Sequence, residues 1–306
     1  MLLTLAVSSL RALVQGASNG DALRLKPLEI PAFARETLGL HALNVPAWML
    51  RGWTMADLDR LRDVADKAGC PCLLLVDDEP LELGASGATA RDAALDRFQR
   101  LAAAAHRLGC NALAMAVKGG TGAKGAGEEA FERTVTALKA AIGRVDRLEL
   151  NVLLRPGPGL GEDPARLTEL IKRVGGFRIG SLPDFGHAGR SGQPELTLRK
   201  LAPYAGAIHA TIEGFDASGQ HTGCDLAACV HAIRSVGYQN TLAIEYVGKG
   251  DPVADVLRAK EILVGIIRGD SAGEEVEVDD AAVLAIEGDD AAAATGDEAA
   301  GEERET

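Results

Sequence analysis

The chain has 306 residues, of which 47% are hydrophobic and 25% charged, enough to build one large core or two small ones. No run approaches the roughly 18 consecutive apolar residues that a membrane-spanning helix needs, so a membrane protein of that kind is excluded. The net charge of −12 is local: residues 271–306 hold 13 Asp or Glu and one Arg, leaving 31 acids and 31 bases in residues 1–270.

In chain order, short β-branched or leucine-rich runs alternate with longer stretches of helical period. "MLLTLAV" lacks the basic residue that precedes the apolar core of an export signal, and it reads as a first strand, "LLTLAVS" from Leu2. Further strands are expected at "LHALNVP" from Leu40, "PCLLLVD" from Pro71, "CNALAMAV" from Cys110, "LELNVLL" from Leu148, "FRIGSLP" from Phe177, "GAIHATI" from Gly206 and "NTLAIEY" from Asn240. Between two of them, Leu95, Phe98, Leu101, Ala105 and Leu108 recur at helical spacing, with Gly109 placed to end the helix. After the last strand, Asp251 and Pro252 supply an N-cap and a first-turn proline. Eight strands at intervals of about 30 to 40 residues, joined by helices, predict a (β/α)8 TIM barrel over residues 1–270. Beyond it, Ala, Gly and acids predominate over large apolar side chains, which predicts a disordered acidic tail over residues 271–306. A docking role for that tail, through "AVLAIEG", is the functional alternative. The five cysteines lack metal-finger spacing, so reduced, mostly buried thiols and a cytoplasmic location are expected; Cys70 and Cys72 read as structural rather than as a redox pair.

In such a barrel the chemistry collects at the C-terminal strand ends. The polar residues follow that rule: Asp77, Asp78 and Glu79 after strand three, Arg155 after strand five, Asp184 and His187 after strand six, His209 within strand seven and Glu245 within strand eight. Glycine-rich loops follow them, including "KGGTGAKGAG", whose Lys118 and Lys124 suit a mobile lid better than a phosphate loop. Alternation along strand five sets Glu149, Asn151 and Arg155 on one face and Leu150, Val152 and Leu154 on the other, aiming Arg155 into the barrel. Glu245, between Ile244 and Tyr246, requires a cationic partner if it is buried. His41, His106 and His231 read as structural; His221 lies in a loop that could close over a ligand.

"PDFGH" and the stretch from "IHATIEG" through "AIEYVGKGDP" resemble the xylose-isomerase-like sugar isomerase and epimerase barrels, over about residues 145–268. The resemblance implies a divalent metal (Mn, Mg, Co or Zn) among strands five to eight, beside carboxylates that move protons. On that pattern Asp184, His209 and Glu245 are metal ligands, Glu245 doubles as the base, and His187 touches a substrate oxygen. The pattern departs at three positions: Arg155 stands where the strand-five Glu ligand belongs, Asn44 where a strand-two Glu is common, and Thr211 where a Lys often follows the strand-seven His. Weak metal binding follows, with Arg155 pairing to Asp184 or Glu245, and Asn44, Arg155, His187 and Thr211 contacting substrate.

The function implied is isomerisation or epimerisation of a sugar or polyol through an enediolate, with Glu245, His187 and Arg155 as the catalytic set. The alternative is a barrel that binds a sugar or acidic metabolite without turnover. Abasic-site nuclease chemistry, a third reading, needs a His- and Glu-rich metal cluster and a basic stripe, and a body of balanced charge provides neither, so no nucleic-acid partner is expected.

Overall fold

The computed structural model describes residues 1–16, 24–118 and 126–272. Eight parallel strands form one sheet: β1 (Leu2–Ala6), β2 (Leu43–Pro46), β3 (Cys72–Val76), β4 (Ala112–Met115), β5 (Asn151–Leu154), β6 (Ile179–Ser181), β7 (Ile208–Ile212) and β8 (Thr241–Tyr246). Each neighbours its successor except at one seam, and β1 pairs with β8. The seam lies between β6 and β7, where a regular ladder gives way to isolated bridges, Ser181 to Ala205 and Asp184 to His209. Backbone hydrogen bonds Gly206 N to Ser181 O (3.1 Å) and His209 N to Pro183 O (2.9 Å) close it. Glycine is required on both sides: a Cβ at Gly180 would lie 2.5 Å from Tyr204 O, and one at Gly206 2.6 Å from Leu153 Cδ2. The architecture is the (β/α)8 barrel.

The helices are α1 (Arg11–Gln15), α2 (Ile30–Glu36), α3 (Met55–Lys67), α4 (Ala88–Arg107), α5 (Ala126–Val145), α6 (Pro164–Val174), α7 (Phe185–Arg190), α8 (Pro194–Leu201), α9 (Leu226–Arg234) and α10 (Pro252–Ala272). Their apolar stripes pack on the outward strand residues, and a small cluster of Leu74, Val76, Ala112, Ala114, Leu153, Leu182 and Ala207 fills the barrel interior. Gly109 takes φ 80° after α4, and Asp251 accepts from Val253 N at 2.9 Å to start α10, as the sequence predicts. None of the described helices is long and apolar enough to cross a membrane.

Every strand after β1 starts one to three residues later than expected, and in two of them the backbone shows why. Glu149 lies outside β5: it adopts φ 54° and closes a 3-10 turn through Glu149 N to Asp146 O (3.1 Å), so it is exposed rather than on the face of Arg155. Phe177 is 85% exposed and β6 begins only at Ile179, because two glycines at positive φ, Gly175 and Gly176, carry the chain away from α6 first. By contact density the chain divides into Met1–Ile267 and Arg268–Thr306. The acidic tail expected from residue 271 lies almost wholly outside the described residues, as does Lys124.

Candidate active site

β7 and β8 run side by side with Thr211 opposite Glu245 and His209 opposite Ala243, and β1 and β2 continue the inward face through Ala6 and Asn44. Since alternate residues share a face, this register aims Asn44, His209, Thr211 and Glu245 into the barrel. Glu245 is 8% exposed and its two oxygens are both engaged. Oε1 accepts from Ser8 Oγ at 2.8 Å, and Oε2 lies 2.9 Å from His209 Nδ1. The Asn44 side-chain amide meets His209 Nε2 at 3.1 Å. With Asn44 donating, Nε2 holds the lone pair and Nδ1 carries the proton that Glu245 accepts. Burial works to raise the Glu245 pKa, but the His209 contact, then the field of Arg155 and the Ser8 hydroxyl, win and hold it down at about 2.

Ser8 belongs to a 3-10 turn, Val7–Leu10, directly after β1. The adjacent Ser9 stitches that turn to β8 by donating to Ile244 O (3.2 Å) and accepting from Tyr246 N (2.8 Å). Neither serine stands out in the sequence. The available signal is a polar pair where an apolar strand meets the C-terminal mouth.

Asp184 sits on the other side of the seam. The sequence predicts a loop after it; instead it is the N-cap of α7, with Oδ1 accepting from His187 N at 2.6 Å. Its Oδ2 accepts from Thr211 Oγ1 at 2.5 Å. The cap forms because the extended backbone of Pro183 and Asp184 turns straight into helix, leaving early N–H groups that need an acceptor. His187 therefore presents its backbone N–H to Asp184, while its ring is half-buried with Nε2 unpartnered, and burial lowers its pKa. Asp184, His209 and Glu245 each offer a ligand atom, all within 4.8 Å of one another.

Arg155 extends from the end of β5, on the inward face of Leu153. Its side chain is 20% exposed, and its charge reaches Glu245. Its hydrogen-bond partner is not Asp184 or Glu245, as expected, but Asp78, whose Oδ1 accepts from Nη1 at 3.3 Å. Asp78 reaches in from the loop after β3 and also faces Arg11 at 3.7 Å. Neighbouring Asp77 points the other way, into an ion pair with Arg97 of α4 at 2.6 Å.

This donor set does not fit a resident dication well. A metal needs free lone pairs, and the one on His209 is taken where Nε2 accepts from Asn44, while every oxygen of Asp184 and Glu245 already faces one hydrogen-bond donor and keeps only part of its accepting capacity. The position that the resemblance gives to a fourth ligand holds a cation, whose field acts on Glu245.

The chain belongs to the xylose isomerase-like TIM barrel family, whose model matches residues 32–264. Its fold is similar to that of several solved structures. L-ribulose 3-epimerase superposes with a TM-score of 0.72 at 15% identity, covering 90% of this chain and 98% of that one. The IOLI protein with a binding zinc atom gives 0.67 at 14% identity, covering 87% and 98%. D-psicose 3-epimerase with D-tagatose, from Clostridium cellulolyticum H10, gives 0.67 at 13% identity, covering 89% and 99%. A search of the curated proteins found no match.

Proposed function

We propose that this barrel isomerises or epimerises a sugar or related polyol, with Glu245 as the base and Arg155 as the electrophile. The observation that carries the reading is a buried, ionised Glu245 at the barrel mouth with a guanidinium close enough to act on its charge. Membership of the family and the fold shared with L-ribulose and D-psicose 3-epimerases support the substrate class.

The residues suggest the following steps. Glu245 Oε2, released from the His209 proton when substrate enters, takes the proton from the carbon beside a carbonyl. The electrons of that C–H bond move onto the carbonyl oxygen, where Arg155 meets the growing negative charge; stabilising charge as it develops commonly lowers the barrier more than any other single effect. Return of the proton to the neighbouring carbon, with the hydroxyl proton of the first carbon passing to the former carbonyl oxygen as the carbonyl forms there, completes isomerisation; return to the same carbon from the opposite face gives epimerisation. Arg155 itself cannot deliver a proton, because its pKa stays above about 12. A second carboxylate for two-base epimerisation would have to be Asp184, whose oxygens serve the α7 cap and Thr211. Single-base chemistry is therefore favoured. His187, kept below its ordinary 6.5 by burial, is neutral near pH 7 and suits a substrate-oxygen contact better than proton storage. Asn44 orients His209, and Thr211 orients Asp184.

The test is a panel of aldoses, ketoses and inososes incubated in D2O, with deuterium incorporation and product read by NMR. Turnover with solvent deuterium at the carbon beside the carbonyl is expected, and Glu245→Gln should reduce it at least ~1000-fold. A second reading, binding without turnover, is favoured by the saturated hydrogen bonds of the site. It predicts that one of these compounds raises Tm while no label is incorporated.

A further inference from the structure

Two guanidiniums meet over one carboxylate at the barrel mouth, and the sugar chemistry uses only one of them. Arg11 opens α1, three residues after Ser8, and its Cζ lies 4.6 Å from the centroid of the Trp48 ring. Trp48 belongs to a 3-10 turn, Ala47–Leu50, directly after β2, so the stack joins two neighbouring mouth loops. Contact with a ring face holds a cation in place without using its N–H groups. Among the described residues the Arg11 side chain makes no hydrogen bond, and its contact with oxygen is Asp78 Oδ2 at 3.7 Å. The Arg155 side chain makes one, to the other oxygen of Asp78 at 3.3 Å.

A guanidinium carries five N–H donors in a planar fork that matches a carboxylate or a phosphate. Two such forks here share a single acidic group, and all but one of their donors are left for a ligand. Asp78 is 38% exposed and meets both cations at long range; contacts of that kind contribute little in water, so displacing it costs little. The other acids after β3 are already matched, Asp77 by Arg97 and Glu79 by Arg51 and Arg97. The carboxylates of the site stand elsewhere, Glu245 on β8 and Asp184 at the seam beside β7, and β7 lies across the barrel from β3. The mouth is therefore polarised, with free guanidinium donors over the β3 loop and the base on the other side.

We propose that the substrate is an acidic polyol whose carboxylate or phosphate is held by Arg11 and Arg155 in the place that Asp78 now takes, while its carbonyl end faces Glu245. Asp78 acts as the stand-in for that anion, presenting one oxygen to each guanidinium. On binding, Arg155 Nη1 passes from Asp78 to the anion, and the rest of its fork stays available to the carbonyl oxygen. The polyol chain and the direction it lies in rest on the isomerase reading; the anion site does not.

The experiment is calorimetry at constant ionic strength with four probes. D-gluconate and D-glucitol differ only in a carboxylate against a hydroxymethyl group, and acetate and inorganic phosphate carry the anion without a chain. None is an aldose or a ketose, so the outcome is independent of turnover, and deuterium exchange tests the isomerase reading separately. Saturable binding of at least one anion is expected, at least about tenfold tighter than that of D-glucitol, weakened at least about tenfold by Arg11→Met and strengthened by Asp78→Asn, which removes the competing carboxylate. Opposite signs at the two positions are not what a loosened fold produces. Whether acetate or phosphate binds more tightly tells a sugar acid from a sugar phosphate. No saturable binding of any anion, or binding that Arg11→Met and Asp78→Asn leave unchanged, would overturn the proposal. Where Arg11→Met fails to fold, the unsubstituted protein and Asp78→Asn decide the matter.

Discussion

A carboxylate that titrates at about 2 in the folded chain against an ordinary 4.5 stabilises the fold wherever it is ionised. The contribution from Glu245 is fully present above about pH 4.5 and is lost as pH falls through about 2, since the unfolded chain then binds the proton first. Denaturant titrations between those limits should show stability falling with acid, and Glu245→Gln should flatten that slope while leaving the fold intact. An unchanged slope would mean that His209 and Arg155 do not hold the carboxylate. Arg155 gives a second prediction. Replacing its guanidinium by a carboxylate in Arg155→Glu removes the repelling cation and adds an oxygen ligand near Asp184, His209 and Glu245, so calorimetry should detect tight binding of one Mn, Co or Zn ion. Before substitution, dialysed protein should carry far less than one metal per chain by elemental analysis.

At the scale of elements, α4 is locked to the end of β3 by Asp77, which is 2% exposed on its side chain and bonded to Arg97 Nη2 at 2.6 Å and Glu79 N at 3.2 Å. Burial pushes the Asp77 pKa up even with Arg97 beside it. Arg97→Met, which leaves that carboxylate without its cation, should cost roughly 3 kcal/mol in chemical denaturation, and adding Asp77→Asn should recover much of it. The strands themselves are legible in the sequence because an apolar run between glycine-rich turns is the pattern of a strand buried on both faces. His209 and Glu245 are legible for the complementary reason: an ionisable side chain inside such a run needs a partner, and each is the other's. What escapes is short or distant. The six residues of α7 make fewer than two turns, too few to show a period, so Asp184 does not read as its cap. Asp78 lies 77 residues from Arg155, and nothing local in either segment announces the pairing.

For the molecule as a whole, the acidic excess follows the barrel in sequence, and the 31 acids and 31 bases of residues 1–270 balance. The barrel wall is not uniform. β1 and β8 share four register pairs and β7 and β8 five, whereas β6 and β7 meet only through isolated bridges and two glycine close approaches. Asp184 and His209 stand on opposite banks of that seam. Any breathing there moves the two groups apart before it disturbs the rest of the wall. Hydrogen exchange should register this as faster deuteration of the Gly206 and His209 amides than of the Leu5 and Leu242 amides, by at least about tenfold. A sugar spanning the seam would then act as a clamp, slowing both amides on binding, so the weakest line in the wall would also be the gauge of an occupied site.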